Sequence, residues 1–264
     1  MRNSKYYSLA LEALAELAPE LADATNRATP PPQTQPNFDA VTRGVGNLPA
    51  GALFLGMADD GLPVLLDLFD GSPGPLLIVG DERAGKTLLL KTLARTAAEI
   101  YAPHEIQIGI VSSDKTDWTE LESLPHCAEV NAFSENDSQE LVAALYDWAH
   151  QDARAGLAVL FLVDGFDCIG QWDEATRTHL RWLLLRGPSR RIWPILTLNA
   201  ARIGDVKEWL SLFRTFIYGR VSNDSFGDML TGASNAGLES LRAGVEFTMR
   251  EGNHWLRFQI PSLR

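Results

Sequence analysis

The run Pro75-Leu76-Leu77-Ile78-Val79-Gly80-Asp81-Glu82-Arg83-Ala84-Gly85-Lys86-Thr87 decides how the chain is read. An apolar stretch of strand length ends at Gly80, and a helical stretch, Leu88-Leu89-Leu90-Lys91-Thr92-Leu93-Ala94, follows Thr87. Between them, Gly80 to Thr87 matches the phosphate-binding pattern G-x-x-x-x-G-K-[ST] in full, in the strand–turn–helix frame that the pattern requires. Each residue type has a chemical reason. Glycines at 80 and 85 permit turns that aim successive backbone N–H groups inward, and the following helix adds the positive end of its dipole. Lys86 supplies a point charge for the β- and γ-phosphates of a nucleotide, and Thr87 a hydroxyl for Mg²⁺. The expected cradle is therefore Gly80, Asp81, Glu82, Arg83, Ala84, Gly85, Lys86 and Thr87, with ATP and Mg²⁺ as its ligands. The alternative is an ordinary glycine turn. Asp81 and Glu82 place two carboxylates beside the phosphates with only Arg83 to offset them, and their side chains are expected to point outward.

Working outward, the next chemical feature is Leu160-Phe161-Leu162-Val163-Asp164, an apolar strand ending in a carboxylate. With a phosphate loop upstream, such a carboxylate holds Mg²⁺ together with the loop hydroxyl, so Thr87 and Asp164 are the expected metal residues. The competing reading is a strand-end Asp that caps the next turn. His126 has no partner histidine nearby and reads as structural.

The chain has 264 residues, 45% of them hydrophobic and 22% charged, which suits an ordinary globular protein with one large core or one core and appendages. The formal net charge is −11, from 34 acidic and 23 basic residues. That balance argues against DNA binding by the isolated chain, since nucleic-acid binders present a basic face. It leaves room for a ring whose pore loops alone touch DNA. Two cysteines, Cys127 and Cys168, make neither a disulfide framework nor a metal-ligand spacing, and both read as small buried filler. The longest strictly apolar run, Leu157 to Val163, is far short of a membrane span, and no apolar leader stands at the N-terminus, so the expectation is a cytoplasmic chain without a membrane segment.

Residues 4–26 read as a helix with a Leu11, Leu14, Ala18 and Leu21 stripe, broken near Pro19. The stripe suits packing on its own domain or docking to a partner or neighbouring subunit, and these two readings stand level. Thr29 to Pro36 is a Pro-rich, semi-rigid stretch. The expected organisation is a helix over 1–28, a linker over 29–50 and a nucleotide domain over 51–264. Within that domain, Asp59-Asp60-Gly61 joins a hairpin. Strands are expected at Gln107 to Val111, Leu157 to Val163, Ile192 to Leu198 and Phe213 to Val221. Helices are expected at Glu140 to Arg154 and Arg177 to Leu185. A closing hairpin turns at Glu251-Gly252-Asn253. Alternating strands and helices imply an α/β fold with a mainly parallel sheet covered on both faces.

Six segments in order give the chain a resemblance to the FtsK/HerA superfamily of motor ATPases, which includes the ATPase modules of type VII secretion. Leu76 to Gly80 resembles the family's entry strand and loop, and Ser113-Asp114-Lys115 its Asp-Pro-Lys segment. Leu124-Pro125-His126 matches Leu-Pro-His, and Arg154 closes the following helix as it does there. Pro194 to Asn199 is similar to the strand carrying the polar sensor, with Asn199 for the usual Gln. Arg220-Val221-Ser222-Asn223-Asp224-Ser225 resembles Arg-Val-Ser-x-x-Asp-Ser. The resemblance implies a RecA-like core that works in homo- or hetero-oligomeric rings, with Lys86, Asp164 and Asn199 as catalytic residues. It departs from the family at one position. The family has Glu directly after the metal-binding Asp, to polarise the attacking water, and here that position is Gly165. Asp167, two residues on, is a poor substitute and reads as a helix cap. Arg186, Arg190 and Arg191 are either an arginine finger for a neighbour's site or a solvated basic edge. Two functions stay open: a translocase subunit moving DNA or polypeptide with weakened hydrolysis, and a hydrolysis-impaired ATP-binding module that organises a larger assembly.

Overall fold

The computed structural model describes residues 37–38, 51–67, 73–151, 156–234, 236–251 and 254–262. The helix expected over 4–26, the Pro-rich stretch and Arg154 lie outside the described residues. Asn37–Arg264 is one compact unit, in which Asn37 bridges to Ser262.

In chain order, β1 (Ala52–Ala58) and β2 (Pro63–Asp67) form the expected hairpin, closed by Gly61 at φ 82 and by the Ala58 N–H donating to the Leu62 carbonyl at 2.8 Å. Then come β3 (Leu76–Gly80), α1 (Lys86–Ile100), β4 (Ile106–Ser112), α2 (Thr119–Glu122), β5 (Cys127–Ala132) and α3 (Asn136–His150). They are followed by β6 (Ala158–Asp164), α4 (Glu174–Arg186), β7 (Ile192–Asn199), β8 (Thr215–Tyr218), α5 (Asp224–Thr231), β9 (Glu246–Glu251) and β10 (His254–Gln259). One ten-stranded sheet runs in the order β2-β1-β10-β9-β8-β3-β7-β6-β4-β5. The stretch from β8 to β5 is parallel throughout. The closing hairpin β9–β10 links it, antiparallel, to the β1–β2 hairpin.

Burial on both faces explains the continuous apolar strands. Along β6, Val159, Phe161 and Val163 face the core under α3 and α4, while Ala158, Leu160 and Leu162 face the core under α1. Truncating Leu160 or Leu162 to Ala costs about 2–5 kcal/mol. By contrast β5, at the sheet edge, reads Cys-Ala-Glu-Val-Asn-Ala and is only partly buried, so no hydrophobic pattern marks it. The helix boundaries follow capping. The Asp173 carboxylate accepts from the Thr176 N–H and starts α4 three residues before the expected Arg177, while α3 covers Asn136–His150 rather than beginning at Glu140.

What the topology does for function is specific. In the sheet β7 lies between β3, which ends in the glycine loop, and β6, which ends in Asp164. Gly80 pairs in register with Asn199, and Asp164 with Thr197. The C-terminal ends of three adjacent parallel strands thus bring together residues from far apart in sequence, at the sheet edge where open α/β folds bind ligands.

Candidate nucleotide site

The loop between β3 and α1 is held open by its backbone. Gly85 sits at φ 95, and a Cβ there would come within 2.7 Å of the Gly244 Cα. Gly80 has a different reason to be glycine: a Cβ would lie 2.9 Å from that of Ala84. Arg83, although not glycine, is also left-handed, at φ 61, a strained conformation of the kind that collects at ligand loops. No side chain caps the N-terminus of α1, and no acidic residue lies in its first turn, whereas α4 and α5 are capped by Asp173 and Asn223. The first N–H groups of α1 are thus left for an anion, with the helix dipole behind them.

Lys86 curls over the loop, its Nζ donating to the Asp81 carbonyl at 2.7 Å and the Gly80 carbonyl at 3.1 Å. Burial pushes its pKa down, opposed by the charges of Asp164, Asp167, Asp81 and Glu82 in that order. A phosphate would offset that desolvation directly. Glu82 and Arg83 are exposed, as expected for outward side chains. Asp81 is not: its carboxylate accepts from the Ser222 N–H at 2.8 Å, while its own N–H donates to the Arg220 carbonyl at 2.9 Å. The Arg220-to-Ser225 segment therefore clasps the loop, and the Gly244 N–H donates to the Ala84 carbonyl at 3.0 Å on the other side.

Asp164 is 7% exposed, and each of its carboxylate oxygens accepts a side-chain hydrogen bond. The Thr87 hydroxyl, 77 residues away in sequence, donates to Oδ2 at 2.8 Å, and the Thr197 hydroxyl donates to Oδ1 at 2.6 Å. Burial pushes the Asp164 pKa up, opposed first by the Thr197 hydroxyl, then by Thr87 and then by the Lys86 charge. A hydroxyl that donates its one proton keeps lone pairs for a cation, so Thr87 and Asp164 form a hard oxygen pair. Mg²⁺ takes one or two such protein ligands and completes its shell with phosphate and water. The residues present fit that ion.

Beyond Asp164 the site is different. Gly165 has φ 101, and a Cβ there would meet the Ser113 Cβ and Oγ at 3.0 Å. Asp167 is not the cap expected from the sequence: Gly165 holds the N-cap position of the short helix Phe166–Gln171, and Asp167 lies in its first turn. The Asn199 Oδ1 accepts from the Ala201 N–H at 3.1 Å, capping the helical stretch after β7. Arg186, Arg190 and Arg191 precede β7, at the other end of that strand from Asn199. Eight residues of strand span about 26 Å, so these arginines cannot reach the loop of their own chain. The His126 Nε2 lies 2.7 Å from the Tyr101 carbonyl, a structural contact. Thr197 and Ser222 lie in segments that carry the family resemblance but are not candidate site residues in the sequence, and Gly244 is unmarked there; register and long-range pairing show all three at the site.

A family model described as "AAA domain" matches residues 70–197, the segment holding the loop, Asp164 and the strand between them. The chain has the fold of a P-loop NTPase. Its fold is that of the ATPase modules of type VII secretion. EssC (ATPases 2 and 3) from Geobacillus thermodenitrificans superposes with a TM-score of 0.71 at 16% identity, covering 89% of this chain and 48% of that one. The cytoplasmic domain of the Thermomonospora curvata type VII secretion ATPase EccC gives 0.64 at 17% identity, with 88% and 28% covered. The pCW3 conjugation coupling protein TcpA, solved with ATPγS, gives 0.61 at 14% identity, with 89% and 71% covered. The P-loop domain thus spans about half of the EssC chain and under a third of EccC. No curated protein matches the sequence. Among the described residues, no helix is long and apolar enough to cross a membrane.

Proposed function

We propose that this P-loop domain binds Mg²⁺–ATP and serves as a slowly hydrolysing, FtsK-type subunit of an oligomeric cytoplasmic assembly. The observation that carries the binding half is the Thr87–Asp164 hydrogen bond at 2.8 Å, which joins the phosphate loop to the metal carboxylate. In this reading Gly80 to Thr87 wrap the phosphates, and Lys86 leaves the loop carbonyls for the β- and γ-oxygens. Thr87 and Asp164 would hold Mg²⁺, which when bound would supply positive charge to the phosphate oxygens. Asn199, beside Gly80 in the sheet, is the candidate for sensing the γ-phosphate.

Hydrolysis needs a water aligned with the γ-phosphorus and a group to take its proton, and a positioned base contributes about 10²–10⁴-fold. Gly165 offers no side chain there, which supports weakened turnover in a translocase subunit. The same observation favours the second reading, an ATP-holding structural or regulatory module. Charge bears on the cargo: with 34 acidic and 23 basic residues, a polypeptide fits this surface better than DNA. Arg186 to Arg191 suit a contact to a neighbouring copy's site, and the sequence's N-terminal stripe suits docking to a partner.

The test is thermal melting with and without Mg²⁺–ATP. A ligand at 100 times its Kd adds about 2.7 kcal/mol, a rise of about 5–10 °C for a domain of this size. Lys86→Ala is expected to abolish the rise, and a folded wild-type protein unmoved by millimolar ATP would overturn the reading. Light scattering should show a larger species with a non-hydrolysable ATP analogue than without nucleotide.

A further inference from the structure

We propose that Thr197 is the positioning residue of the metal site: its hydroxyl sets the rotation of the Asp164 carboxylate, and with it the coupling of Mg²⁺ to nucleotide binding. This rests on the Mg²⁺–ATP reading above and assigns to it a residue that touches neither ligand.

The geometry is explicit. Thr197 lies on β7 directly across from Asp164 on β6 and is 1% exposed. A hydroxyl has one proton and two lone pairs. The proton goes to the Asp164 Oδ1 at 2.6 Å, and a lone pair accepts the Gly165 N–H at 2.9 Å. One side chain therefore fixes both the carboxylate and the left-handed glycine after it. With Oδ1 held toward β7, Oδ2 is presented to Thr87 on α1. The packing alone has no need of this hydroxyl. Trp193 and Ile195, on the same strand, are apolar and belong to the core under α1, and valine has the shape of threonine. A threonine whose hydroxyl, among the described residues, bonds to the Asp164 carboxylate and the Gly165 amide beside it is placed to orient that carboxylate. Groups that orient metal ligands in this way carry about 10–100-fold of metal affinity.

The experiment titrates a fluorescent ATP analogue into the full chain, in excess Mg²⁺ and in EDTA, and takes the ratio of the two Kd values as the Mg²⁺ coupling. Wild type should bind more tightly with Mg²⁺. Thr197→Val should lower the coupling about tenfold or more and leave the EDTA affinity at the wild-type level. Thr197→Ser, which keeps the hydroxyl, should retain the coupling. Melting curves establish that each variant is folded, and Thr197→Ala carries the same comparison if the valine variant is not. Wild-type coupling in the folded valine or alanine variant overturns the proposal, as does loss of coupling in the serine variant equal to that in valine. Either result leaves the Mg²⁺–ATP reading standing. A wild type that binds the analogue equally with and without Mg²⁺ overturns both.

Discussion

The two halves of the candidate site are built to different standards. The phosphate side is over-determined: the loop is tied to Ser222, Arg220 and Gly244, Lys86 is held by two carbonyls, and Thr87 is bonded to Asp164. The water side has no carboxylate at 165, a left-handed backbone where one is expected, and an Asn199 whose amide oxygen is occupied in capping. Binding a nucleotide and hydrolysing it are usually treated as one property of this fold. In the proposed function they rest on different residues, so the two can be perturbed separately.

The phosphate side should be the more sensitive. Asp164→Asn keeps the shape and removes the charge from a buried site. Hydrogen bonds to charged groups contribute about 1.5–3 kcal/mol, so Mg²⁺–ATP affinity by calorimetry should fall roughly 10- to 100-fold. Unchanged affinity would show that Asp164 is a structural strand end. On the water side, Gly165→Glu is expected to cost about 1–3 kcal/mol of stability, since a side chain at φ 101 is strained and meets Ser113. It should lower the melting temperature without restoring turnover. Gly165→Ala should show a similar loss of stability, which separates backbone strain from charge. A large gain of phosphate release in the glutamate variant would show instead that one carboxylate was all the site lacked.

Smaller effects sharpen the picture at its edges. Asp81→Ala removes the clasp to Ser222, a loss of about 1 kcal/mol, readable as a drop of a few degrees in melting temperature with nucleotide binding retained. Far from the site, burial and then the charges of Glu122 and Glu129 push the Cys127 thiol up to about 11 from 9.0. A raised pKa means the folded state keeps its proton longer than the unfolded one. The resulting stability is present below pH 9 and is lost as pH rises through about 11. Alkylation of Cys127 at pH 8 should accordingly be slow in the native protein and fast in denaturant.

Much of this was legible in the sequence, for physical reasons. Strands buried on both faces must be largely apolar, as β3 is, β6 up to Asp164, and β7 apart from Thr197 and Asn199. The loop and Asp164 carry side chains or glycines that their chemistry requires. Other features leave no local trace. The edge strand β5 breaks its apolar run with Glu129 and Asn131, and Asn131 is buried through its bonds to the Glu129 carboxylate and the Asp137 carbonyl. Thr197 matters through its register with Asp164, 33 residues earlier, and Asp81 through an amide 141 residues later. A glycine in a sequence does not report its own φ, so the sequence shows that Gly165 lacks a side chain but not that its backbone is left-handed. Asp167 shows the opposite error: a carboxylate beside a short helix resembles a cap, yet the cap position belongs to Gly165.

The most direct test of the central claim is steady-state phosphate release by the wild-type chain saturated with Mg²⁺–ATP, beside Lys86→Ala. Enzymes commonly turn over at about 10 s⁻¹, and a missing base lowers that by about 10²–10⁴-fold. Tight, Lys86-dependent binding with release at about 10⁻³–10⁻¹ s⁻¹ is expected. Lys86-dependent release near 10 s⁻¹ from the same chain would contradict it, and would mean that a residue other than one at position 165 activates the water.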